Sequence, residues 1–426
     1  MLIMGVLFIV TLIIGMPIAF SLGVTTLAGV LLMEDIPMAI LPQKMFTGVD
    51  FFSLVAIPFF ILAGELMNHG KITDSLIAFA QQIVGRWRGG LAHVNIVSAM
   101  FFSGITGSAV ADASALGAIM IPAMEKEKYD RRFASAVVAA AAVMGPIIPP
   151  SIIMVVYALV DGNVSIGALF MAGYIPGILI GGLQMVTAYI IASRRNYPRL
   201  NEPFSLPVFL KRFKDALLPL LMPVIIMGGI LGGVFTPTEA AAIACLYAFL
   251  VGFFVFKTLE MRTLPKLLHN TVVTTAMVFL IFCMGQVLVA LLTINQVPQK
   301  ITELMLSVSS NPLFFLLLVN ILLLIVGCFI ESGVAIIVLV PILAPVALKL
   351  GIDPLHFATV VVVNLCLGLL TPPMGVVLFV VCGIAKITLE EITKAVWPFM
   401  LAILIILFLI TYIPSLTLVI PRYFGF

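Results

Sequence analysis

The sequence contains little charge. Only 10% of its 426 residues are Asp, Glu, Lys or Arg, whereas an average soluble domain has about 25%. Apolar residues make up 62% of the chain and the mean hydropathy is +1.26, so polar side chains are too few to cover the surface of a soluble protein of this size. The composition excludes a cytoplasmic enzyme, a secreted domain and a disordered scaffold, and it predicts a protein embedded in lipid.

Motifs for metal chemistry and nucleotide hydrolysis are also missing. The five cysteines form no CxxC pair, the four histidines form no HExxH motif, and no G-x-x-x-x-G-K-[ST] phosphate loop is present. The net charge of +3 is small and spread along the chain, which argues against nucleic acid as a partner. We therefore expect no cofactor, and an ion gradient is the energy source that fits a membrane protein without an ATP site.

The sequence is rich in apolar segments of about 20 residues or more, the length that crosses a bilayer as a helix. They cover 2–33, 51–67, 91–124, 133–160, 165–192, 216–234, 238–256, 270–294, 312–348, 355–385 and 395–421. The first segment lacks the basic start of a signal peptide and is predicted to be one retained membrane helix. The pattern predicts an all-α polytopic membrane protein.

One basic stretch, 194–215, divides the chain near its middle. Its six basic residues are Arg194, Arg195, Arg199, Lys211, Arg212 and Lys214. Because basic loops remain on the cytoplasmic side of a membrane, we interpret the stretch as a cytoplasmic arm or linker. It separates a first half, residues 1–193, from a second half, residues 216–426.

The two halves share a repeated pattern. A shift of 223 residues aligns Gly145-Pro-Ile-Ile-Pro-Pro-Ser151 with Gly368-Leu-Leu-Thr-Pro-Pro-Met374, together with further Gly, Pro and Asp positions. The loop 125–132 carries four basic residues, whereas its counterpart 348–355 carries one. Corresponding loops are therefore expected on opposite sides of the membrane, which predicts the inverted repeats typical of secondary transporters.

Each half contains an apolar segment that these prolines break, 133–160 in the first half and 355–385 in the second. Proline has no N–H, so a Pro-Pro pair after glycine interrupts a helix and leaves backbone carbonyls without donors. Such carbonyls are tolerated in hydrocarbon only where another group replaces the lost hydrogen bonds, as a sodium ion does. We expect a cation at each break; a kink that only serves packing is the alternative interpretation.

Each half also contains an apolar segment too long for one crossing, about 91–124 and about 312–348. Small and hydroxyl residues lie at the centres, in Ser103-Gly-Ile-Thr-Gly-Ser108 and in Gly327-Cys-Phe-Ile-Glu-Ser-Gly333. We interpret each segment as a re-entrant hairpin whose tip lies beside the broken helix of the same half. Close helix packing through small residues is the alternative interpretation.

Three carboxylates lie within apolar segments, where a charge at mid-bilayer costs about 2.5–3.5 kcal/mol on insertion scales. Asp112, one helical turn after Ser108, is either a buried hydrogen-bond anchor or an ion- or substrate-linked group. Glu331 lies at the second tip and is predicted to be functional. Glu239 follows Thr236 by three residues, and this spacing predicts a helix-capping box.

Five motifs occur together in one order and spacing: Ile57–Leu66, Gly85–Leu91, Gly107–Ser114, Ile148–Ser151 and Thr236–Ala242. From about residue 1 to about residue 420 the chain resembles the large membrane subunit of tripartite ATP-independent periplasmic (TRAP) transporters. The paired Pro-Pro loops also resemble those of divalent anion–sodium symporters, a related elevator-type fold.

This resemblance implies a function. A TRAP large subunit is the multi-pass transport module of a sodium-driven importer in the bacterial inner membrane. It receives a small organic acid from a periplasmic substrate-binding protein, and sialic acid is our first expectation and a C4-dicarboxylate the second. The sequence shows no extra region for the small four-helix membrane subunit that some members carry fused, so a separate small subunit is implied. An elevator-like motion of the domain that carries both hairpins would move sodium and substrate together.

The resemblance also implies binding residues. The first sodium site would consist of Ser103, Ser108, Gly145, Ile148 and Pro150. The second would consist of Gly327, Gly368, Thr371 and Met374. The substrate-binding residues would be Ser103, Ser108, Asp112, Ser151, Glu331 and Thr371.

Three other functions fit the sequence less well. A sodium–carboxylate symporter or antiporter of the same fold would work without a binding protein. An intramembrane serine protease that uses Ser108 and His93 would lack its GxSG signature. A passive channel would lack uninterrupted pore helices and charged rings.

Overall fold

The computed structural model describes residues 2–33, 36–68, 72–199, 205–308, 311–373 and 375–426. Throughout these ranges the regular secondary structure is helical, with no β-strand. The prediction of an all-α chain is confirmed.

Among the described residues, the chain up to Arg194 forms ten α-helices. They are α1 (Leu2–Ile13), α2 (Ile18–Leu32), α3 (Ile40–Val49), α4 (Ala56–Asn68), α5 (Ile72–Val84), α6 (Gly90–Thr106), α7 (Ala109–Lys126), α8 (Arg131–Ala142), α9 (Ile152–Asp161) and α10 (Ile166–Arg194). A 3₁₀ turn, Phe52–Val55, leads into α4. The chain bends by 61° between α3 and this turn.

The described residues from Leu206 onwards form ten more α-helices. They are α11 (Leu206–Leu231), α12 (Pro237–Leu250), α13 (Leu264–Ile294), α14 (Val297–Val308), α15 (Pro312–Gly327), α16 (Ser332–Lys349), α17 (Pro354–Gly368), α18 (Val376–Ala385), α19 (Leu389–Tyr412) and α20 (Ser415–Tyr423). A π-helical turn, Val251–Val255, extends α12.

Six helices of the described chain are long and apolar enough to cross a membrane, and the bent α3–α4 pair would make a seventh span. The six are Ile166–Arg194, Leu206–Leu231, Pro237–Val255, Leu264–Ile294, Ser332–Lys349 and Leu389–Tyr412. Most other apolar segments fall into shorter helices, because glycine and proline divide them.

The first apolar segment shows this division, and the prediction of a single helix over 2–33 is wrong. Helix α1 ends at Ile13, Gly15 has a left-handed φ of +85°, and Pro17 precedes the first residue of α2. Glycine adopts this φ without strain, and proline cannot donate the hydrogen bond that would continue a helix. The two short helices pack against each other.

The basic stretch does not form an element of its own. Helix α10 ends at Arg194 and α11 begins at Leu206, so Lys211, Arg212 and Lys214 belong to the first part of α11. The chain just after α10 is fastened to the first half. The Tyr197 ring stacks on Tyr129 with 4.6 Å between centroids, and the Gly89 N–H donates to the Pro198 carbonyl at 3.2 Å.

The interior is centred on the first parts of the two broken helices. Every residue of α8 from Phe133 to Ala142 and every residue of α17 from His356 to Gly368 is buried. Six alanines keep α8 narrow, so neighbouring helices approach its backbone closely.

Helix α10 supports the first break from behind. A Cβ on Gly173 would lie 2.3 Å from the Ile147 carbonyl oxygen, and one on Gly177 would lie 2.3 Å from Ile148 Cγ1. Only glycine leaves room for the loop at these two positions. Further along, Gln184 Nε2 donates to the Ala140 carbonyl at 2.8 Å and joins α10 to α8.

The capping box predicted at Glu239 is confirmed. The Thr236 hydroxyl accepts from the Glu239 N–H at 3.3 Å, and a Glu239 carboxylate oxygen accepts from the Thr236 N–H at 2.8 Å. These two bonds satisfy N–H groups at the start of α12. Glu239 therefore has a structural role.

A buried amide pair joins helices of the second half. Asn364 Nδ2, on α17, donates to Asn320 Oδ1 on α15 at 2.7 Å. Asn320 Nδ2 in turn donates to the Thr411 hydroxyl on α19 at 3.0 Å. All three side chains are fully buried. These bonds therefore satisfy polar groups that water cannot reach.

We expect Asn364→Ala to destabilise the protein by about 1–3 kcal/mol, because the buried Asn320 carboxamide loses its donor. The measurement is the thermal unfolding midpoint of the purified protein in detergent. Asn163→Ala is the control, since Asn163 is exposed and its bonds reach only Asp161. Equal midpoints for the two variants would contradict the expectation.

Candidate cation and substrate site

The first hairpin turns at Gly107 and Ser108, between α6 and α7, and its tip lies against the first Pro-Pro loop. Gly107 has a left-handed φ of +62°, and a Cβ there would lie 2.6 Å from the Pro150 carbonyl oxygen. A Cβ on Gly104 would lie 3.5 Å from the Pro149 carbonyl oxygen. Glycine at the tip therefore lets the loop carbonyls approach the hairpin backbone.

Several carbonyls of this loop have no backbone donor. Within the described chain, no backbone N–H donates to the carbonyl of Gly145, Ile148 or Pro150. Pro149 and Pro150, which are joined by a cis peptide bond, cannot supply N–H groups. The loop thus presents unpaired oxygen atoms beside the tip, which is the arrangement a cation satisfies.

The serine hydroxyls around the loop donate to backbone carbonyls. Ser103 Oγ lies 2.6 Å from the Ala99 carbonyl, and Ser151 Oγ lies 2.6 Å from the Pro146 carbonyl. A hydroxyl whose proton is used in this way presents lone pairs on its other side. Such lone pairs are suitable ligands for a cation.

Asp112 connects the tip to the loop. Its Oδ1 accepts from the Thr106 hydroxyl, and its Oδ2 lies 3.3 Å from Ser103 Oγ. A Cβ on Gly145 would lie 2.6 Å from the same Oδ2. Asp112 is fully buried, and no ion pair of the described chain includes it.

The second tip, between α15 and α16, lies against the second Pro-Pro loop. A Cβ on Gly368 would lie 2.7 Å from backbone atoms of Gly327, so these two glycines are in direct backbone contact. Thr371 Oγ1 donates to the Leu367 carbonyl at 2.9 Å. Pro372 and Pro373 are joined by a cis peptide bond, as in the first loop. Met374 lies outside the described residues.

Glu331 begins α16 as its N-cap. Its carboxylate accepts from the backbone N–H groups of Gly333 and Val334 at 3.0 and 3.3 Å. These bonds satisfy the start of the helix, where a negative charge is also stabilised by the helix dipole. The side chain remains exposed.

A cavity of about 180 Å³ lies between the two tips. Ser108 and Glu331 line it from the tips, Pro146 and Leu369 line it from the two loops, and Thr274 lines it from α13. Most of the remaining wall is aliphatic. The cavity is therefore the place where both halves meet around a few polar groups.

The structure thus separates the predicted substrate-binding residues into those that line the cavity and those that do not. Ser108 and Glu331 face the cavity, whereas Ser103, Asp112 and Ser151 are fully buried behind it. Thr371 does not line the cavity.

Two residues at the site were not singled out from the sequence. Thr106 lies inside the turn motif of the first tip. Its role is to donate a hydrogen bond from its hydroxyl to the Asp112 carboxylate. Thr274 lies in an apolar helix, α13, with no local motif.

Ser108 and His93 do not form a nucleophile–base pair. They lie near opposite ends of α6, and the 13 residues from His93 to Thr106 span about 20 Å of helix. His93 Nε2 instead lies 3.2 Å from the Arg88 carbonyl.

The profile of the family described as "Tripartite ATP-independent periplasmic transporter, DctM component" matches residues 5–416. The chain belongs to this family. Its members are transport permeases rather than enzymes, and TRAP permeases work with a small membrane subunit and a periplasmic binding protein. The resemblance found in the sequence is confirmed, and the chain is a multi-pass protein of the bacterial inner membrane.

Curated relatives include TRAP permeases with different substrates in their names. The sialic acid TRAP transporter large permease protein SiaM of Vibrio cholerae is 44% identical over 410 residues, which cover 96% of each chain. The C4-dicarboxylate TRAP transporter large permease protein DctM of Rhodobacter capsulatus is 39% identical over 424 residues, again 96% of each chain.

Among solved structures, the YdaH transporter of Alcanivorax borkumensis matches with a TM-score of 0.63 at 14% identity. The match covers 90% of this chain and 87% of YdaH. This likeness shows a shared fold of polytopic transporters.

We expect Gly368→Ala to destabilise the protein by about 1–3 kcal/mol or more, because its methyl group would overlap the Gly327 backbone. Gly383→Ala is the matched control, since a Cβ on Gly383, in α18, meets no atom within 4 Å. The control should be neutral or slightly stabilising, as alanine favours the helix. The measurement is the yield of monodisperse protein and its thermal unfolding midpoint, and equal behaviour would contradict the contact.

Proposed function

We propose that this chain is the transport module of a sodium-driven importer for a small organic acid. The observation that carries the proposal is the cavity between the tips, with unpaired loop carbonyls beside it, in a TRAP permease. The acid would be delivered by a periplasmic binding protein, and a separate small four-helix membrane subunit would complete the transporter. The near-complete match to proteins named large permease supports that separate subunit.

Sodium would occupy the gaps between tips and Pro-Pro loops. The first site would use the hydroxyls of Ser103 and Ser108 with the carbonyls of Gly145, Ile148 and Pro150. Support comes from those three carbonyls, which lack backbone donors in the described chain, and from the Ser103 hydroxyl, whose proton points to Ala99. Hard oxygen ligands of this kind suit an alkali or alkaline-earth cation.

The second sodium site would use Gly327, Gly368, Thr371 and Met374. Support comes from the backbone contact between Gly327 and Gly368. The Gly368 and Thr371 carbonyls already accept from the N–H groups of Thr371 and Gly375, at 2.9 and 3.1 Å. A cation here would therefore share oxygens that are partly satisfied, unlike those of the first loop.

The acid would bind in the cavity, where Ser108 and Glu331 are the tip residues that face it. Ser103, Asp112, Ser151 and Thr371 would influence the acid from behind this surface, by holding the tips and loops in place. Sialic acid is the first candidate and a C4-dicarboxylate the second, in line with the names of SiaM and DctM.

Transport would follow an elevator mechanism. Residues 1–193 and 216–426 would be inverted repeats joined by the arm 194–215. In each repeat a hairpin (α6–α7 or α15–α16) and a broken helix (α8–α9 or α17–α18) would move together. Sodium would order the tips and raise their affinity for the acid, so that sodium ions and acid cross the membrane together.

The decisive experiment is uptake of labelled sialic acid into proteoliposomes that contain this chain and its small subunit. An inward sodium gradient and the binding protein are each present or absent, and potassium replaces sodium as the control. Uptake that requires both supports the proposal. Uptake that needs sodium but no binding protein would instead support the stand-alone symporter or antiporter.

A parallel series with labelled C4-dicarboxylates tests the substrate. Uptake of a dicarboxylate but not of sialic acid would correct the substrate and leave sodium coupling in place. Uptake that proceeds equally well in potassium would overturn sodium coupling.

We expect Ser108→Ala to reduce sodium-dependent uptake at least tenfold, because the variant loses an oxygen at the tip that both ion and acid need. Ser165→Ala is the matched control. Ser165 also caps a helix, and its hydroxyl accepts from the Ala168 N–H at 3.2 Å, but it lies at the start of α10. Wild-type uptake by Ser108→Ala would remove Ser108 from the site.

A further inference from the structure

Asp112 is a buried carboxylate with too few partners for its charge. Its two oxygens have the hydroxyls of Thr106 and Ser103 within hydrogen-bond distance, and Ser103 shares its one proton with the Ala99 carbonyl. Two neutral donors do not compensate a negative charge that has left water, and no ion pair of the described chain supplies a positive one.

The helix dipole offsets part of the charge of Asp112, which lies in the first turn of α7, but neighbouring oxygen atoms add negative potential. Gly145, against which Oδ2 lies, belongs to the loop whose carbonyls lack backbone donors. Ser103 Oγ lies 3.3 Å from the same carboxylate oxygen, Oδ2. A buried carboxylate beside a hydroxyl oxygen and beside a loop with unpaired carbonyls attracts a monovalent cation.

The second half differs at the corresponding position. The shift of 223 residues places Ala335 opposite Asp112. The atoms nearest to a Cβ on Gly327 or Gly368 belong to the other glycine and to Leu365. Glu331, the carboxylate of the second tip, is held by the N–H groups of Gly333 and Val334.

We propose that Asp112 is the fixed counter-charge of the first sodium site and makes the two sodium sites unequal. A cation at the first site is neutralised by the protein itself, so this site fills without the acid. A cation at the second site depends on another source of negative charge, which the acid supplies when it binds. The inference rests on the proposed sodium coupling and goes beyond it.

The test is the thermal unfolding midpoint of the purified complex with its small subunit, without acid or binding protein, as sodium replaces choline at constant ionic strength. A cation that binds only the folded protein raises the midpoint once its concentration passes the half-saturating value, and the rise then continues with the logarithm of concentration, so that fitting the curve gives this value. Asp112→Asn should increase the half-saturating sodium concentration about tenfold or more, since the variant keeps the shape and loses the charge.

Asp161→Asn is the matched control. It makes the same substitution at the far end of α9, about 15 Å of helix from Ser151, and it should keep the wild-type sodium response. The same half-saturation in Asp112→Asn as in the wild type would overturn the proposal. No sodium-specific response in the wild type would overturn the proposed sodium coupling itself, which distinguishes the two failures.

Thr106→Val gives a second test that does not require Asp112→Asn to fold. The variant lacks the Thr106 hydroxyl that donates to Asp112, but Asp112 keeps its charge. Stabilisation of that charge then depends more on bound sodium. We expect the variant to lose more thermal stability in choline than in sodium. An equal loss in both salts would contradict the role of Asp112.

Discussion

A backbone carbonyl without a donor in an apolar surrounding is the constraint on which the first candidate site depends. The first Pro-Pro loop leaves such carbonyls at Gly145, Ile148 and Pro150, because its prolines remove N–H groups, whereas the Gly368 and Thr371 carbonyls of the second loop accept from backbone N–H groups. The surrounding helices make room for the oxygens through Gly104 and Gly107 at the first tip, and through the Gly327–Gly368 contact at the second. A helix broken within an apolar segment thus leaves oxygen atoms that need another partner.

The two halves meet this constraint differently. The first encloses its loop with a buried carboxylate and two hydroxyls, whereas the second uses close glycine contact and an amide network one to two turns away. A repeated backbone pattern thus carries two chemically distinct environments. This difference would allow one half to retain an ion while the other responds to the acid.

Much of this arrangement was predictable from the sequence, because it follows from where glycine and proline interrupt apolar runs. The positions of both tips and both breaks agree with helix ends in the structure. The family also followed from short motifs in a fixed order. The division of 2–33 into two helices was missed, although Gly15 and Pro17 signal it, because the whole run is apolar.

Contacts between distant side chains could not be predicted. Thr106 and Asp112 are only six residues apart, yet their bond depends on how the chain turns at Gly107. Asn320, Asn364 and Thr411 come from three separate helices, and no local pattern announces such a network. Equally, the sequence gives no sign that Ser103 and Ser151 lie behind the cavity wall while Ser108 lines it.

The fit between α10 and the first loop has a mechanical consequence. The helix has 29 residues and is therefore about 43 Å long. The loop presses on Gly173 and Gly177 near one end, and the other end leads into the segment clasped by Tyr129 and Gly89. One continuous helix therefore links the first Pro-Pro loop to the start of the segment between the two halves. In the proposed elevator mechanism, α10 would couple movement of the first loop to this segment.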